Sequence, residues 1–354
     1  MSIALTRPTA SRLGLRWLWV TPLVLVTALI AGTAIGETPI PVDTILKVLA
    51  NQLLGADYAV DRIDAGIIWN YRLSRAVVAA CCGTSLALAG VVLQALLRNP
   101  LADPLLDGHF RRGLYGCRCG GSGRLRCRCA FALPGCLCGR PARLGIVVML
   151  AHAANSGVGG GRGVQAAGAI ILAGIAGSQL FNALTAFIIT KSASAEQARG
   201  IMFWLMGNLS GVRWADVSLA VPAALFGLLV CLWHRRSLDA FTFGVDSAAS
   251  MGIAVRPVRG MLIIAMALVT AVMVSIVGAI GFVGLVIPHA MRFIVGSRHT
   301  RLVPATALAG AVFLIGSDIL SRVLVSGQVL PIGVITSLIG APAFALILVR
   351  GKRS

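Results

Sequence analysis

Charge is what this sequence has least of. Only 12% of its 354 residues are Asp, Glu, Lys or Arg, against 57% hydrophobic residues. That is about half the charged share of an ordinary soluble domain, which excludes one here. Lysine is almost missing, with Lys47, Lys191 and Lys352 the three in the chain. A phosphate-cradling loop needs Gly-x-x-x-x-Gly-Lys-Ser/Thr. Lys191-Ser192 has no such glycines before it, so the chain shows no nucleotide site. Acids are scarce too, 12 in all. No carboxylate pair or nucleophile–base pair stands out, so nothing points to acid–base catalysis, to an enzyme or to a bound cofactor.

What the chain has instead is long uncharged runs: 17–36, 77–97, 164–190, 217–233, 260–288 and 323–349. Several are long enough to cross about 30 Å of hydrocarbon. The pattern is that of an all-α polytopic membrane protein, read as one transmembrane domain over 1–354. The first run is too long for a cleaved signal peptide and lacks a clear small-residue cleavage site before Glu37.

The formal charge of +19 does not indicate nucleic acid. Eight arginines and no acids fall within 109–143, and removing those eight leaves +11. Most of the rest lies in four short clusters: Arg7, Arg12 and Arg16; Arg235, Arg236, Arg256 and Arg259; Arg292, Arg298 and Arg301; Arg350, Lys352 and Arg353. All four fall on one side of the membrane if both termini are cytoplasmic, as the positive-inside rule requires.

Two runs exceed one straight span. Residues 260–288 would extend roughly 43 Å and 323–349 roughly 40 Å as helices. Both hold breakers, Gly278, Gly281 and Gly284 in the first, Gly327, Pro331 and Gly333 in the second. Each is expected to turn between helical pieces. The stretch 278–289, GAIGFVGLVIPH, is the most telling. Irregular backbone at membrane depth persists only where protein or a water-filled path satisfies it, and broken helices mark transport pathways. Small residues such as Gly83, Ala87, Gly90, Gly310 and Gly316 suit close helix packing.

Several pieces occur in a specific order: Arg72-Leu-Ser-Arg75, Leu93-Gln94, Arg98-Asn-Pro-Leu-Ala-Asp-Pro104, Ile171-Leu-Ala-Gly-Ile-Ala176, Phe203-Trp-Leu-Met-Gly-Asn-Leu-Ser-Gly211, GFVGLVIPH, Asp318 with Arg322, Leu330-Pro-Ile-Gly333 and Ile339-Gly-Ala-Pro342. Over about 15–108 and 164–350 the chain resembles the FecCD-type permease of binding-protein-dependent ABC importers for iron-siderophores, haem and vitamin B12. The resemblance implies about ten transmembrane helices, a dimer with a second permease subunit, two cytoplasmic ATPase subunits, and a substrate-binding protein outside. It also implies alternating access in the bacterial inner membrane, with an iron-siderophore-type cargo. The motifs do not separate siderophore, haem and cobalamin. Val329 stands where the family often has an acid before Leu-Pro-Ile-Gly.

Specific residues follow from this resemblance. Arg72 and Arg75 stand at the outer mouth of the second span, where the charge rule disfavours arginine. With Arg322 they are expected to meet carboxylates of the binding protein. For Arg322 the competing reading is an i,i+4 pair with Asp318. Asn99, Pro100 and Leu101 form a turn beside the expected cytoplasmic gate. Residues 243–253 resemble the coupling helices of ABC importers. There Asp246, Ala248 and Ala249 are candidate contacts to the ATPase, and Gly252 is the candidate hinge. His289 is a lone histidine more readily satisfied by backbone or solvent than by a metal.

One segment departs from the family. Residues 109–143 hold six of the nine cysteines, as Cys117/Cys119, Cys127/Cys129 and Cys136/Cys138. The spacing is C-x-C, whereas zinc sites favour C-x-x-C. A membrane-anchored metal-thiolate protein is one reading. The preferred reading is a shifted frame: with suitably chosen GC-rich codons, His-Phe-Arg-Arg-Gly read one base later can give Ile-Ser-Val-Gly-Ala, and Cys-Arg-Cys can give Ala-Val-Ala. The third span and part of the fourth would then be lost, leaving a damaged permease. A secondary transporter is a third class, but it needs buried ion-coupling charges, and Asp318 is the one span carboxylate in the second half.

Overall fold

The structure, a computed structural model, describes residues 10–36, 40–99, 102, 194–325 and 327–351, with isolated positions at 183, 186, 187 and 190. All regular structure among them is helical. The elements are α1 (Ala10–Ala34), α2 (Val42–Leu54), α3 (Arg62–Gly66), a π-helical stretch (Ile67–Leu73) and α4 (Ser74–Leu97). After the gap come α5 (Ala195–Leu205), α6 (Trp214–Trp233), α7 (Arg235–Thr242) and α8 (Val245–Ser250). Then follow α9 (Val255–Val277), α10 (Val283–Val295), α11 (His299–Val323) and α12 (Ile332–Gly351).

Four described helical segments are long and apolar enough to span a bilayer: Arg62–Leu97, α6, α9 and α11. Three shorter apolar helices, Thr21–Ala34, α10 and Ile332–Leu346, accompany them. The segment 109–143, with its six paired cysteines, lies outside the described residues, as do Pro100 and Leu101.

Helix α4 is the axis of the bundle. It is apolar all round and buried along nearly its whole length, as expected of a helix enclosed by others. Helices α6, α9, α10 and α11 surround it. Two glycines make this enclosure tight. A methyl group at Gly83 would collide with the carbonyl of Gly310 on α11, and one at Gly90 with the carbonyl of Gly284 on α10. Backbone meets backbone at both crossings, the small-residue packing that membrane helices use in place of a hydrophobic drive.

Both long runs break where their glycines predict. Helix α9 ends at Val277 and α10 starts at Val283. Helix α11 ends at Val323 and α12 starts at Ile332. Pro288 and His289 lie inside α10, which continues to Val295.

Candidate functional site

The outer ends of the helices meet in a junction made by three distant motifs. The amide of Asn208 donates to the Val277 carbonyl at 2.8 Å, and the amide of Ile332 to the Gly207 carbonyl at 3.0 Å. Gly207 and Gly278 both have φ of +79°, which side-chain-bearing residues avoid. Side chains at Gly278 and Gly333 would strike the carbonyls of Trp204 and Met206. The glycines of FWLMGNLSG, GAIGFVG and LPIG are therefore mutual requirements of one layer. Nearby, Trp214 donates from Nε1 to the Trp69 carbonyl at 3.0 Å, with ring centroids 4.8 Å apart.

Beside this layer lie the arginines. Asp318 on α11 is 1% exposed and sits between two guanidinium groups. Arg75 Nε donates to its Oδ1 at 2.7 Å, and Arg322 Nη2 lies 3.0 Å from its Oδ2 without hydrogen-bond alignment. Arg75 also reaches the hydroxyls of Ser210 and Ser321. Arg322 donates to the Gly32 carbonyl at 2.8 Å. Arg72 donates to the carbonyls of Thr33 and Ala34 at 3.3 and 3.1 Å. The last turn of α1, the start of α4 and the end of α11 are thus tied through three cations. All three are buried within the single chain, at 6–9% exposure. This differs from the open outer-mouth arginines expected from sequence. Asp318 captures two of them because a charge at this depth must be paired or hydrogen-bonded.

At the inner end the centre is Gln94, buried on α4. Pro288 has no N–H for the Gly284 carbonyl one turn back. Gln94 Nε2 replaces it, donating to the carbonyls of Gly284 at 3.2 Å and Leu285 at 3.4 Å. It also reaches the Ala102 carbonyl at 3.3 Å, which folds the turn after α4 back beneath the helix. Gln94 Oε1 accepts from Arg292 Nη1 at 2.6 Å. Asn99 is exposed in that turn, and its carbonyl accepts from the Ala102 amide at 3.1 Å.

On the basic side, α7 and α8 form two short helices broken at Gly244, whose φ is +114°. The break between the two short helices thus lies at Gly244 rather than at Gly252. Gly252, at φ +80°, instead closes α8: its amide donates to the Ala249 carbonyl and that of Ile253 to Ala248. That pair of bonds is a Schellman cap. Ala248 is fully buried and faces the bundle, so it is not a surface contact. Asp246 and Ala249 are exposed, and Phe243, Val245 and Met251 form an exposed apolar rim around them. The Arg98 guanidinium, at the inner end of α4, lies against Gly244. Gly244 and Gln94 are the functional candidates that sequence reasoning missed. Each had a signal: a glycine next to a helix start, and a lone amide in an uncharged span.

Broken helices buttressed by a central helix, with a two-helix loop on the basic face, are the architecture of a multi-pass membrane protein. Residues 23–350 match the FecCD transport family, and the chain belongs to it. It is 35% identical over 345 residues to the uncharacterized ABC transporter permease protein YvrB of Bacillus subtilis, covering 93% of this chain and 92% of that one. It is 31% identical over 373 residues to the cobalamin import system permease protein BtuC of Halobacterium salinarum, covering 96% and 97%. A solved inward-facing metal-chelate-type ABC transporter superposes with a TM-score of 0.75 at 27% identity, covering 95% of this chain and 99% of that one. The protein is therefore an ABC importer permease subunit of the inner membrane.

Proposed function

We propose that the chain carries a metal chelate of the ferric-siderophore type across the inner membrane by alternating access. Its partners would be a second permease subunit, two ATPase subunits and a periplasmic binding protein. The observation that carries the ATPase-driven part of this reading is the exposed rim of Phe243, Val245 and Met251 around the Gly244 break on the basic side. A short amphipathic element with a free apolar face fits a groove on a partner. Asp246 and Ala249 lie within that rim. The path itself would run beside α10, whose broken start at 278–282 and Gln94-braced body give it two ends able to re-gate. Asn99, with Pro100 and Leu101 beyond the described residues, would line the inner gate.

Docking of a binding protein would involve Arg72, Arg75 and Arg322. Two of them, Arg75 and Arg322, share the one carboxylate of Asp318, which leaves a positive surplus at the outer end. Such a surplus steers acidic partners. Burial narrows the reading, since a docking carboxylate would have to enter the cleft between α1, α4 and α11. Arg72 holds carbonyls in the described contacts, so Arg72→Gln tests docking with the least damage to the Asp318 cluster. Weaker capture of the cognate binding protein, most marked at low salt, is expected. Unchanged affinity rules out the docking role.

A corrinoid cargo is the second reading, favoured by the cobalamin import permease among the relatives. Uptake by proteoliposomes bearing the assembled importer separates the two. Ferrichrome accumulation supports the first, cyanocobalamin accumulation the second, and haemin tests the remaining branch.

A further inference from the structure

Helix α7 and helix α11 are joined at a point that the coupling surface does not use. Asp239 of α7 accepts two hydrogen bonds on one oxygen, Oδ1. One comes from the backbone amide of His299 at 2.8 Å, the other from His299 Nδ1 at 2.8 Å. His299 is the first residue of α11 and is 1% exposed. A carboxylate can only accept, so Nδ1 carries the proton. The residue before α11, Arg298, makes no side-chain cap. The orphan amide at this helix start is satisfied from another helix, where a local Ser, Thr, Asp or Asn would ordinarily serve.

The surroundings make this bond a tether. Leu238 and Phe241 of α7 are buried in one apolar cluster with Leu302 and Val303 of α11 and Leu88 and Val92 of α4. Helix α7 is thus embedded in the bundle, whereas α8 buries only Ala248 and presents the rest outward. The Gly244 break separates the embedded piece from the free one. Helix α11 then runs 25 residues without interruption to Val323, about 37 Å at 1.5 Å per residue. Asp318 and Arg322 lie in its last turns, within the outer arginine cluster.

We propose that Asp239 is a positioning residue for transport: it clamps the coupling helix to the start of α11, so that displacement of α7–α8 reaches the outer cluster through one helix. The inference rests on the reading of α7–α8 as the ATPase-coupling element. Apolar contact alone allows α7 to slide on α11. Two hydrogen bonds to a single oxygen fix rotation and register together.

The test uses the full chain assembled with its ATPase and binding protein in lipid nanodiscs. Asp239→Ala and His299→Ala are each expected to lower binding-protein-stimulated ATP hydrolysis by at least about fivefold, the scale of a lost coupling between sites. Basal hydrolysis should persist. The double variant should be no worse than Asp239→Ala alone, which already removes both hydrogen bonds, whereas His299→Ala keeps the one from its backbone amide. His299→Asn keeps an N–H near the Nδ1 position and should restore most of the stimulation, which a loss of packing alone would not allow. Disulfide capture of Ala249→Cys by single-cysteine ATPase variants checks the coupling surface separately. Capture together with unaltered stimulation in Asp239→Ala overturns the tether while leaving the coupling surface standing. Additive single effects, or no rescue by His299→Asn, overturn it equally. Absence of capture removes the coupling reading itself and the tether with it.

Discussion

Gln94 stands in for the amide that Pro288 lacks. Its Nε2 lies 3.2 Å from the Gly284 carbonyl, the group a proline one turn later leaves without a helical partner. One side chain of α4 thereby makes a proline tolerable inside α10, and with Arg292 it pins the two helices where a gate would lie.

Replacing Gln94 should expose this debt. Gln94→Leu keeps the bulk but removes the donor to the carbonyls of Ala102, Gly284 and Leu285 and the acceptor of the Arg292 guanidinium. An unsatisfied buried polar group costs about 1–3 kcal/mol. The purified protein should melt earlier in detergent by scanning fluorimetry, and Gln94→Glu should recover part of the loss through Arg292. A Gln94→Leu protein with the parent melting temperature would show that the carbonyls find other partners.

Asp318 is expected to be the least replaceable acid in the chain. Asp318→Ala leaves Arg75 and Arg322 buried without their counter-charge. Breaking a buried pair by removing one partner costs about 3–5 kcal/mol. A sharp fall in folded, monodisperse protein is expected on gel filtration. Asp318→Asn should fall between the two, since it keeps an acceptor for Arg75 but not the charge. Equal yields for all three would mean that the carboxylate is dispensable.

Gly90 and Gly83 should tolerate no side chain. At both, an added methyl meets backbone of another helix rather than a flexible side chain, so α4 would have to move away from α10 or α11. Gly90→Val should reduce membrane-integrated, trypsin-resistant protein more than Gly227→Ala does, because Gly227 faces the side chain of Val269. The reverse order would contradict the close α4–α10 contact.

Gly244 should matter more than its neighbours in the coupling segment. At φ +114° and ψ 165°, a region occupied almost only by glycine, any other residue pays a backbone penalty of about 1–3 kcal/mol. Gly244→Val should leave α9 and α11 in place while weakening co-purification of the ATPase. Gly252→Ala, at φ +80° beside open space, should have the milder effect. Equal retention of the ATPase by Gly244→Val and the parent would refute a role for the break.

How much of this was legible in the chain depends on range. The breaks at 278–282 and 324–331 were readable because their signals are local: glycine, proline and excess length. The pairing of Arg322 with Asp318 was readable from their i,i+4 spacing; the inward turn of Arg75 was not, because it depends on Asp318, which is 243 residues from Arg75 in sequence. The Gln94–Gly284 contact spans 190 residues and leaves no periodic trace. That the break between the short helices lies at Gly244, eight positions before Gly252, was not readable because the two glycines look alike in sequence. The Schellman bonds that make Gly252 a helix cap are visible only in three dimensions. Residues 109–143 keep both of their readings, and sequencing the coding DNA across them separates a shifted frame from a genuine C-x-C insertion.

The central claim is that this permease is driven by a separate ATPase acting on the Phe243–Val245–Met251 rim. The most direct measurement is ATP-dependent uptake of ferrichrome and cyanocobalamin by proteoliposomes containing the permease, its ATPase and its binding protein. Each component is omitted in turn, and a variant with Phe243 and Met251 changed to Ser is run beside the parent. Accumulation that needs all three components and ATP, and that fails in the rim variant together with ATPase retention, is the predicted result. Accumulation that proceeds without the ATPase, or that is unaffected by the rim variant, would contradict the account.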